Sequence, residues 1–224
     1  MILKSHIMKI AIIGATGFVG SAILKEALSR GHLVTAIMRN EGKLTIQDPA
    51  LVKISADVMD TEKLVAILKG HELIISAYNA GWTNPDIYPD YLKGAASIQS
   101  AVKKSGVSRL IVINGAGSLF LSPDVQLVDS PSFPAEYKPG ALAARDYFES
   151  LKKETTLNWT VITPAIEMSP ANKGEKKGTY RTGEDSPVMD EKGRSSIMVE
   201  DFALAVMDEA EDPKHPGKRF TVGY

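Results

Sequence analysis

The 224-residue sequence contains no cysteine. That absence excludes a disulfide scaffold, a thiolate nucleophile and a cysteine-ligated metal site. Histidine is scarce as well, and its four residues are scattered along the chain without the spacing of a zinc site. They are His6, His32, His71 and His215. We therefore expect no bound metal.

Long apolar runs are also missing. The longest uncharged run near the N-terminus, residues 10–24, is interrupted by three glycines and is too short to span a membrane. No small-residue cleavage site follows a basic and apolar leader, so we expect no secretory signal and a cytoplasmic location. The formal net charge of -1 gives no reason to expect a nucleic-acid or anionic-membrane partner.

The remaining composition is that of an ordinary globular protein. Hydrophobic residues make up 44% of the chain and charged residues 24%, which is enough for one sizeable core. No linker or internal repeat divides the sequence. We therefore treat residues 1–224 as a single domain, a length that undivided α/β folds often reach.

Short apolar runs alternate with segments of helical periodicity. The predicted strands are 9–13, 32–38, 51–55, 72–77, 109–114, 159–163 and 219–222, and the predicted helices are 18–30, 61–68, 88–104, 140–153 and 199–211. Such alternation implies parallel strands joined by right-handed crossovers. It predicts a Rossmann-type, doubly wound α/β sheet with helices on both faces. Regularity weakens after residue 163, so we expect residues 164–224 to add a small C-terminal lobe on the substrate side.

A glycine-rich segment follows the first predicted strand and opens the first helix. It comprises Gly14, Ala15, Thr16, Gly17, Phe18, Val19 and Gly20, and we term residues 14–20 the glycine loop. The first glycine permits a tight turn, the second a close approach to a diphosphate, and the third close packing of helix on strand. The N–H groups and positive dipole end of the helix favour an anion. The alternative is a strand–helix turn that binds nothing.

The end of the second strand carries the signal for coenzyme preference. NAD-binding proteins place an acid there for the ribose 2′-hydroxyl, whereas this strand ends with Arg39 and Asn40. The planar, permanently charged guanidinium suits a 2′-phosphate. This pattern favours NADP(H) over NAD(H), although Arg39 could also be a solvated residue at a strand end.

Two further loops follow the third and fourth strands, where ligands gather in open α/β sheets. Asp57 and Val58 could contact the adenine edge, while Asp57 could instead cap the next helix. Ala77, Tyr78 and Asn79 end the fourth strand and are expected to border the cofactor.

Several segments together resemble the atypical and extended short-chain dehydrogenase/reductase superfamily. They are GATGFVG at 14–20, ADVMD at 56–60, VINGAGSLF at 112–120, NWTVITPA at 158–165 and most of the C-terminal block from residue 179. Within that superfamily, the chain looks most like small bacterial NAD(P)H-binding proteins labelled NADH-flavin reductases or NAD-dependent epimerase/dehydratase-like proteins. Biliverdin reductase B looks like a more distant relative.

The resemblance implies contacts near the nicotinamide end of a dinucleotide. Residues after the fifth strand, Gly115 and Ala116 among them, would face the nicotinamide ring. Pro164, Ala165 and Ile166 after the sixth strand would meet its carboxamide through backbone groups. Ser118 could donate a hydrogen bond to the substrate, or it could only cap the following turn.

Typical members of the superfamily use a tyrosine with a lysine four residues later, because the ammonium lowers the tyrosine pKa from about 10. None of the seven tyrosines has that lysine. Tyr137 is nearest to the expected position, where it could be a hydrogen-bonding wall of the site or a packed aromatic residue. This absence argues against epimerisation and tyrosinate-driven alcohol oxidation.

The sequence therefore favours an NAD(P)H-dependent reductase of a flavin- or quinone-like acceptor, since there the cofactors carry the reaction. One alternative is a sensor of NADP(H) that signals through a protein partner with little turnover, and another is an epimerase- or dehydratase-like enzyme. A basic cluster on the substrate side could attract a phosphorylated acceptor such as FMN, or it could be a solvated loop. It consists of Lys173, Lys176, Lys177 and Arg181.

Overall fold

A computed structural model describes residues 6–172 and 174–224 of the chain, in which strands and helices alternate. The strands are β1 (Lys9–Ile13), β2 (Leu33–Met38), β3 (Leu51–Ser55), β4 (Leu73–Ser76), β5 (Arg109–Ile113), β6 (Phe120–Ser122), β7 (Val125–Gln126), β8 (Asn158–Thr163), β9 (Arg181–Gly183) and β10 (Lys218–Gly223). The helices are α1 (Phe18–Ser29), α2 (Thr61–Leu68), α3 (Ile87–Ser105), α4 (Lys138–Leu151) and α5 (Val199–Glu211).

Eight strands form the central sheet in the order β3-β2-β1-β4-β5-β8-β10-β9. All neighbouring pairs are parallel except the edge pair β10–β9, which is antiparallel. The chain winds outward from β1 to β3 in one direction and from β4 onward in the other. The prediction of a Rossmann-type, doubly wound sheet is confirmed, and its switch point, where ligands bind in such folds, lies between β1 and β4.

Helices cover both faces of the sheet because β1 alternates its side chains between two apolar cores. Ile10 and Ile12 face a core that includes Ile23 of α1 and Phe202 of α5. Ile13 faces the opposite core, which is built from α2, α3 and α4. A strand buried on both faces reads as a continuous apolar run, as this one does.

The sequence did not predict three short strands. β6 and β7 form a separate hairpin inside the irregular stretch 115–139. β9 is polar and three residues long, and it exists because it pairs with β10 at the sheet edge. Residues 164–224 build onto the same sheet: α5 and β10 belong to the central layers, and the segment before α5 forms loops and the edge strand β9. The substrate-side role of this region stays a prediction.

A buried polar network fastens the amino end of the sheet, away from the switch point. Arg109 of β5 pairs with Glu209 of α5 at 2.9 Å, and it donates to the Thr160 hydroxyl of β8 at 2.8 Å. His215 contacts the same carboxylate at 2.8 Å. Burial lowers the pKa of Arg109. Removing one partner of such a pair would leave a buried charge uncompensated, so we expect truncation of Arg109 or Glu209 alone to destabilise the fold.

Among the described residues, no helix has both the length and the apolar character needed to cross a bilayer.

Candidate active site

The glycine loop lies at the switch point of the sheet. Gly14 follows β1 with a φ of +83°, a conformation that favours glycine, and its N–H donates to the Ile37 carbonyl of β2. A Cβ at Gly14 would lie 2.5 Å from the carbonyl oxygen of Ala77, directly after β4. The turn is therefore held between the carboxyl ends of β2 and β4.

The start of α1 has the features of an anion site. Gly17 occupies the N-cap position, and no side chain of the described residues caps this end of the helix. The first turn of α1 lies within the described part of the chain and contains no acidic residue. Phe18, the first helical residue, is 38% exposed. Helix N-termini carry unpaired N–H groups and partial positive charge. The start of α1 therefore suits a phosphate group, which would accept hydrogen bonds from these N–H groups and balance the partial positive charge.

The third glycine of the loop fixes the helix against the turn. A Cβ at Gly20 would lie 2.1 Å from the carbonyl oxygen of Gly14 and 2.8 Å from its carbonyl carbon. Ala15 between them is fully buried, and Thr16 and Val19 are partly buried. Only glycine allows α1 to begin this close to the turn.

Arg39 extends from the end of β2 into solvent. Within residues 6–172 and 174–224 its guanidinium has no hydrogen-bond or ion-pair partner, so it could receive an external anion. Asn40 differs, because its side chain accepts from the Gly42 N–H at 3.0 Å and caps a short turn. Asp57 is exposed and accepts from the Met59 N–H at 2.9 Å, and Asp60 rather than Asp57 caps α2. Val58 beside it is buried.

Tyr78 turns its phenol away from the glycine loop and towards α3. The hydroxyl donates to the Asp90 carbonyl at 3.0 Å, and the ring stacks on Tyr91 with centroids 5.8 Å apart. Burial, followed by the charge of Asp90, raises the pKa of Tyr78 to about 12, while the positive charge of Arg39 opposes that shift. Tyr78 is therefore protonated at neutral pH, and its hydroxyl is already hydrogen-bonded to the Asp90 carbonyl. The side chain of the next residue, Asn79, accepts from the Gly81 N–H at 2.7 Å.

The loop after β5 combines an open position with a buried one. Gly115 and Ala116 are partly buried, and a Cβ on Gly115 would have no heavy atom of the described residues within 4 Å apart from its chain neighbours. Ser118, by contrast, is 0% exposed. Its hydroxyl donates to the Gly115 carbonyl at 3.3 Å and accepts from Arg219 at 3.1 Å. The hydroxyl is thus enclosed by protein groups, and donation to a substrate stays a prediction that would require it to leave the Gly115 carbonyl.

The loop after β8 has one backbone amide that a side chain already engages. Pro164 and Ala165 are buried, and Ile166 is exposed. The Ile166 N–H, expected to meet a carboxamide, donates to the Ser195 hydroxyl at 3.3 Å. A carboxamide bound here would therefore compete with Ser195 for that amide.

Two aromatic residues meet at the same edge of the sheet. Tyr137, which precedes α4, packs edge-to-face against Trp82 with ring centroids 5.3 Å apart. Sequence reasoning missed Trp82. Its signal was a large apolar residue six positions after β4, in the polar segment that follows the predicted site residues 77–79.

The sequence profile of the NAD(P)H-binding family matches residues 14–213, from the glycine loop to just beyond α5. The chain belongs to the NAD(P)H-binding family. The matched range contains nearly all of the geometry described above. The nicotinamide cofactor inferred from the sequence is the ligand of this family.

Relatives of this family match the chain over almost its whole length. The chain is 37% identical over 217 residues to YwnB of Bacillus subtilis strain 168, an uncharacterized protein, covering 96% of this chain and 98% of YwnB. A structure from Bacteroides thetaiotaomicron, provisionally named an epimerase, is 42% identical with a TM-score of 0.90 over 98% of both chains. A structure from Streptococcus pneumoniae TIGR4, provisionally named an NADH-flavin reductase, is 35% identical with a TM-score of 0.84, over 96% of this chain and 99% of that one. The resemblance inferred from the sequence is confirmed.

Two members of the basic cluster of this NAD(P)H-binding protein contact protein groups. Lys177 lies over the Tyr224 ring at 3.8 Å, and Arg181 donates to the Met189 carbonyl at 2.6 Å. Lys176 is exposed, and Lys173 lies outside the described residues. Asp201 of α5 holds this segment by accepting the N–H groups of residues 177 and 178 at 2.6 and 2.9 Å. Lys177 and Arg181 therefore both contact the C-terminal residue Tyr224, and attraction of a phosphorylated acceptor by this cluster stays a prediction.

Proposed function

We propose that this chain is an NADPH-dependent reductase that transfers a hydride to a planar flavin- or quinone-like acceptor. The observation that carries the proposal is the start of α1, an uncapped helix N-terminus without an acid at the switch point of the sheet. A diphosphate is the natural ligand of such a helix start in this fold.

The proposed dinucleotide site runs along the carboxyl edge of the sheet. The glycine loop would hold the diphosphate, and Arg39 would hold a 2′-phosphate. Asp57 and the backbone around Ala77 would border the adenosine half. Gly115, with open space beside its Cα, and the backbone of Pro164 and Ala165 would border the nicotinamide end.

Among the side chains that the structure describes at this edge, none is a general acid of the usual type. Tyr78 keeps its proton, since its pKa is raised to about 12, and its hydroxyl is bonded to a carbonyl. Tyr137 is followed by Ala141 where the superfamily has lysine. Bound NADPH would supply a hydride, which carries two electrons. A flavin or quinone can take its second hydrogen as a proton from water, so this site needs only to orient the acceptor and limit access of water.

The test is an assay of NADPH oxidation by the purified chain, with FMN as acceptor under anaerobic conditions. The decrease in absorbance of the reduced coenzyme measures the rate. We expect NADPH oxidation to depend on both protein and FMN. Tight NADPH binding by calorimetry without turnover on FMN or a benzoquinone would instead favour the sensor. Absence of binding at millimolar NADPH would contradict the whole proposal.

Arg39 provides a test of coenzyme preference. Replacing Arg39 by Gln removes a charge-assisted hydrogen bond to the 2′-phosphate, and we expect the Kd for NADPH to rise about tenfold or more while that for NADH stays nearly constant. Arg39→Asp should reverse the preference, because a carboxylate repels phosphate and accepts from the ribose hydroxyl. Lys69→Gln removes the same charge at an exposed position after α2 and serves as the control. Equal losses for both coenzymes would contradict this role.

A further inference from the structure

Two large aromatic side chains stay in solvent at the carboxyl edge of the sheet. Trp82 is 56% exposed and Tyr137 is 46% exposed, and their ring planes meet at 86°. Single exposed apolar residues are ordinary on a protein surface. A pair in edge-to-face geometry is different, because each ring fixes the orientation of the other.

The loop that carries Trp82 is ordered by its own hydrogen bonds. Gly81 has a φ of +107°, and its carbonyl accepts from the Asn84 N–H at 3.0 Å. The Asn84 side chain donates to Asp90 of α3 at 2.9 Å. A Cβ at Gly140 would lie 2.8 Å from the six-membered ring of Trp82, so the indole rests on the first turn of α4. The exposed indole therefore has a defined position.

The elements that carry the two rings also border the proposed nicotinamide end. The Trp82 loop follows Ala77, which adjoins Gly14 of the glycine loop. Tyr137 precedes α4, and a Cβ at Gly117, in the loop after β5, would lie 2.9 Å from the Ala141 side chain of that helix. Gly115, which has open space beside it, lies in the same loop. The pair thus stands where loops after β4 and β5 converge with the start of α4.

We propose that Trp82 and Tyr137 form the acceptor subsite, in which the indole of Trp82 stacks on the planar ring system of a flavin-class acceptor and Tyr137 holds the indole in place. This inference rests on the proposed reductase function and adds to it the residues that bind the acceptor. A flat, electron-poor isoalloxazine gains most from an exposed, immobilised indole, since stacking needs area and costs little ordering of the protein.

The first measurement is steady-state kinetics with FMN at saturating NADPH. Trp82→Leu should raise the KM for FMN about tenfold, with kcat changed less and the Kd for NADPH unchanged. Trp82→Phe keeps an aromatic face and should restore most of the affinity. Leu121→Ala removes an exposed apolar side chain from β6 and should behave as wild type. A KM for FMN that Trp82→Leu does not change would overturn the inference.

The second measurement needs no turnover. The chain has two tryptophans, and Trp159 is only 4% exposed, so FMN should reach Trp82 alone. Stacking of FMN on Trp82 should therefore quench the emission of that residue, and the quenching should be lost in Trp82→Phe. If FMN quenches wild type and Trp82→Phe to the same fraction, the subsite is wrong even when NADPH oxidation proceeds. If Trp82→Leu converts a dimer to a monomer in sedimentation, the pair is an interface between copies and the inference also fails. If wild type binds no NADPH, the proposed function is contradicted. The FMN quenching experiment does not depend on NADPH, so it tests the acceptor subsite separately.

Discussion

Replacing Gly17 by aspartate should abolish dinucleotide binding at micromolar concentration while leaving the fold intact. Gly17 is the N-cap of α1, with φ -74° and ψ 168°, a conformation open to any L-residue. Aspartate is a preferred N-cap, so its carboxylate should accept from the first-turn N–H groups and stabilise the helix slightly. The same carboxylate would occupy the anion site and repel a diphosphate. We expect the Kd for NADPH to rise at least ~100-fold, equivalent to about 3 kcal/mol.

The opposite signs of the two effects separate binding from folding. Calorimetric titration with NADPH gives the affinity, and thermal unfolding without ligand gives the stability. Gly17→Asn is the matched control, because it caps the helix without a charge and should lose less affinity than aspartate. A Cβ here would lie 3.3 Å from the Gly14 carbonyl oxygen, so the loop must shift by a few tenths of an ångström in both variants. NADPH affinity retained in Gly17→Asp would remove the diphosphate from this helix start.

The helices and central strands could be predicted because their signals are local. α2 runs over the predicted residues, since Asp60 caps its start by accepting from the Lys63 N–H and a glycine follows its end. α4 begins two residues earlier than predicted because Pro139 fits the first turn of a helix. β9 could not be predicted, because its polar residues become a strand only by pairing with β10.

The candidate site likewise contains some features that local sequence signals predict and others that depend on contacts between distant segments. Glycine spacing predicts the turn after β1, because most of its requirements are local: Gly14 has a positive φ, and Gly17 and Gly20 lie against the Gly14 carbonyl. The additional contact of Gly14 with the Ala77 carbonyl is long-range. The role of Ser118 depends instead on Arg219, which is 101 residues away in the chain and encloses its hydroxyl. Trp82 is identified as a candidate site residue only by its contact with Tyr137, which lies in another loop. Burial and pairing between distant segments were not encoded in any local pattern.

Replacing Gly20 by alanine should destabilise the fold strongly. The added Cβ would lie 2.1 Å from the Gly14 carbonyl oxygen and 2.8 Å from its carbonyl carbon, and backbone atoms cannot move aside as a flexible side chain can. Relief requires α1 to retreat from the turn, which would open its packing against β1 and α5. Overpacking of cores costs about 1–3 kcal/mol and sometimes more, and a clash with backbone belongs to the upper end. We expect about 3 kcal/mol or failure to fold, measured by urea denaturation.

Gly115→Ala is the matched control for this substitution, because it adds the same methyl group where the backbone is extended and no described residue beyond its chain neighbours has a heavy atom within 4 Å. Its stability should remain within about 0.5 kcal/mol of wild type, as for substitutions away from packed or strained features. Any effect of Gly115→Ala should appear in binding of the nicotinamide end, since the methyl group enters the space proposed for it. Wild-type stability in Gly20→Ala would mean that α1 does not rest on the Gly14 turn, and the helix start could then not stand where a bound diphosphate requires it.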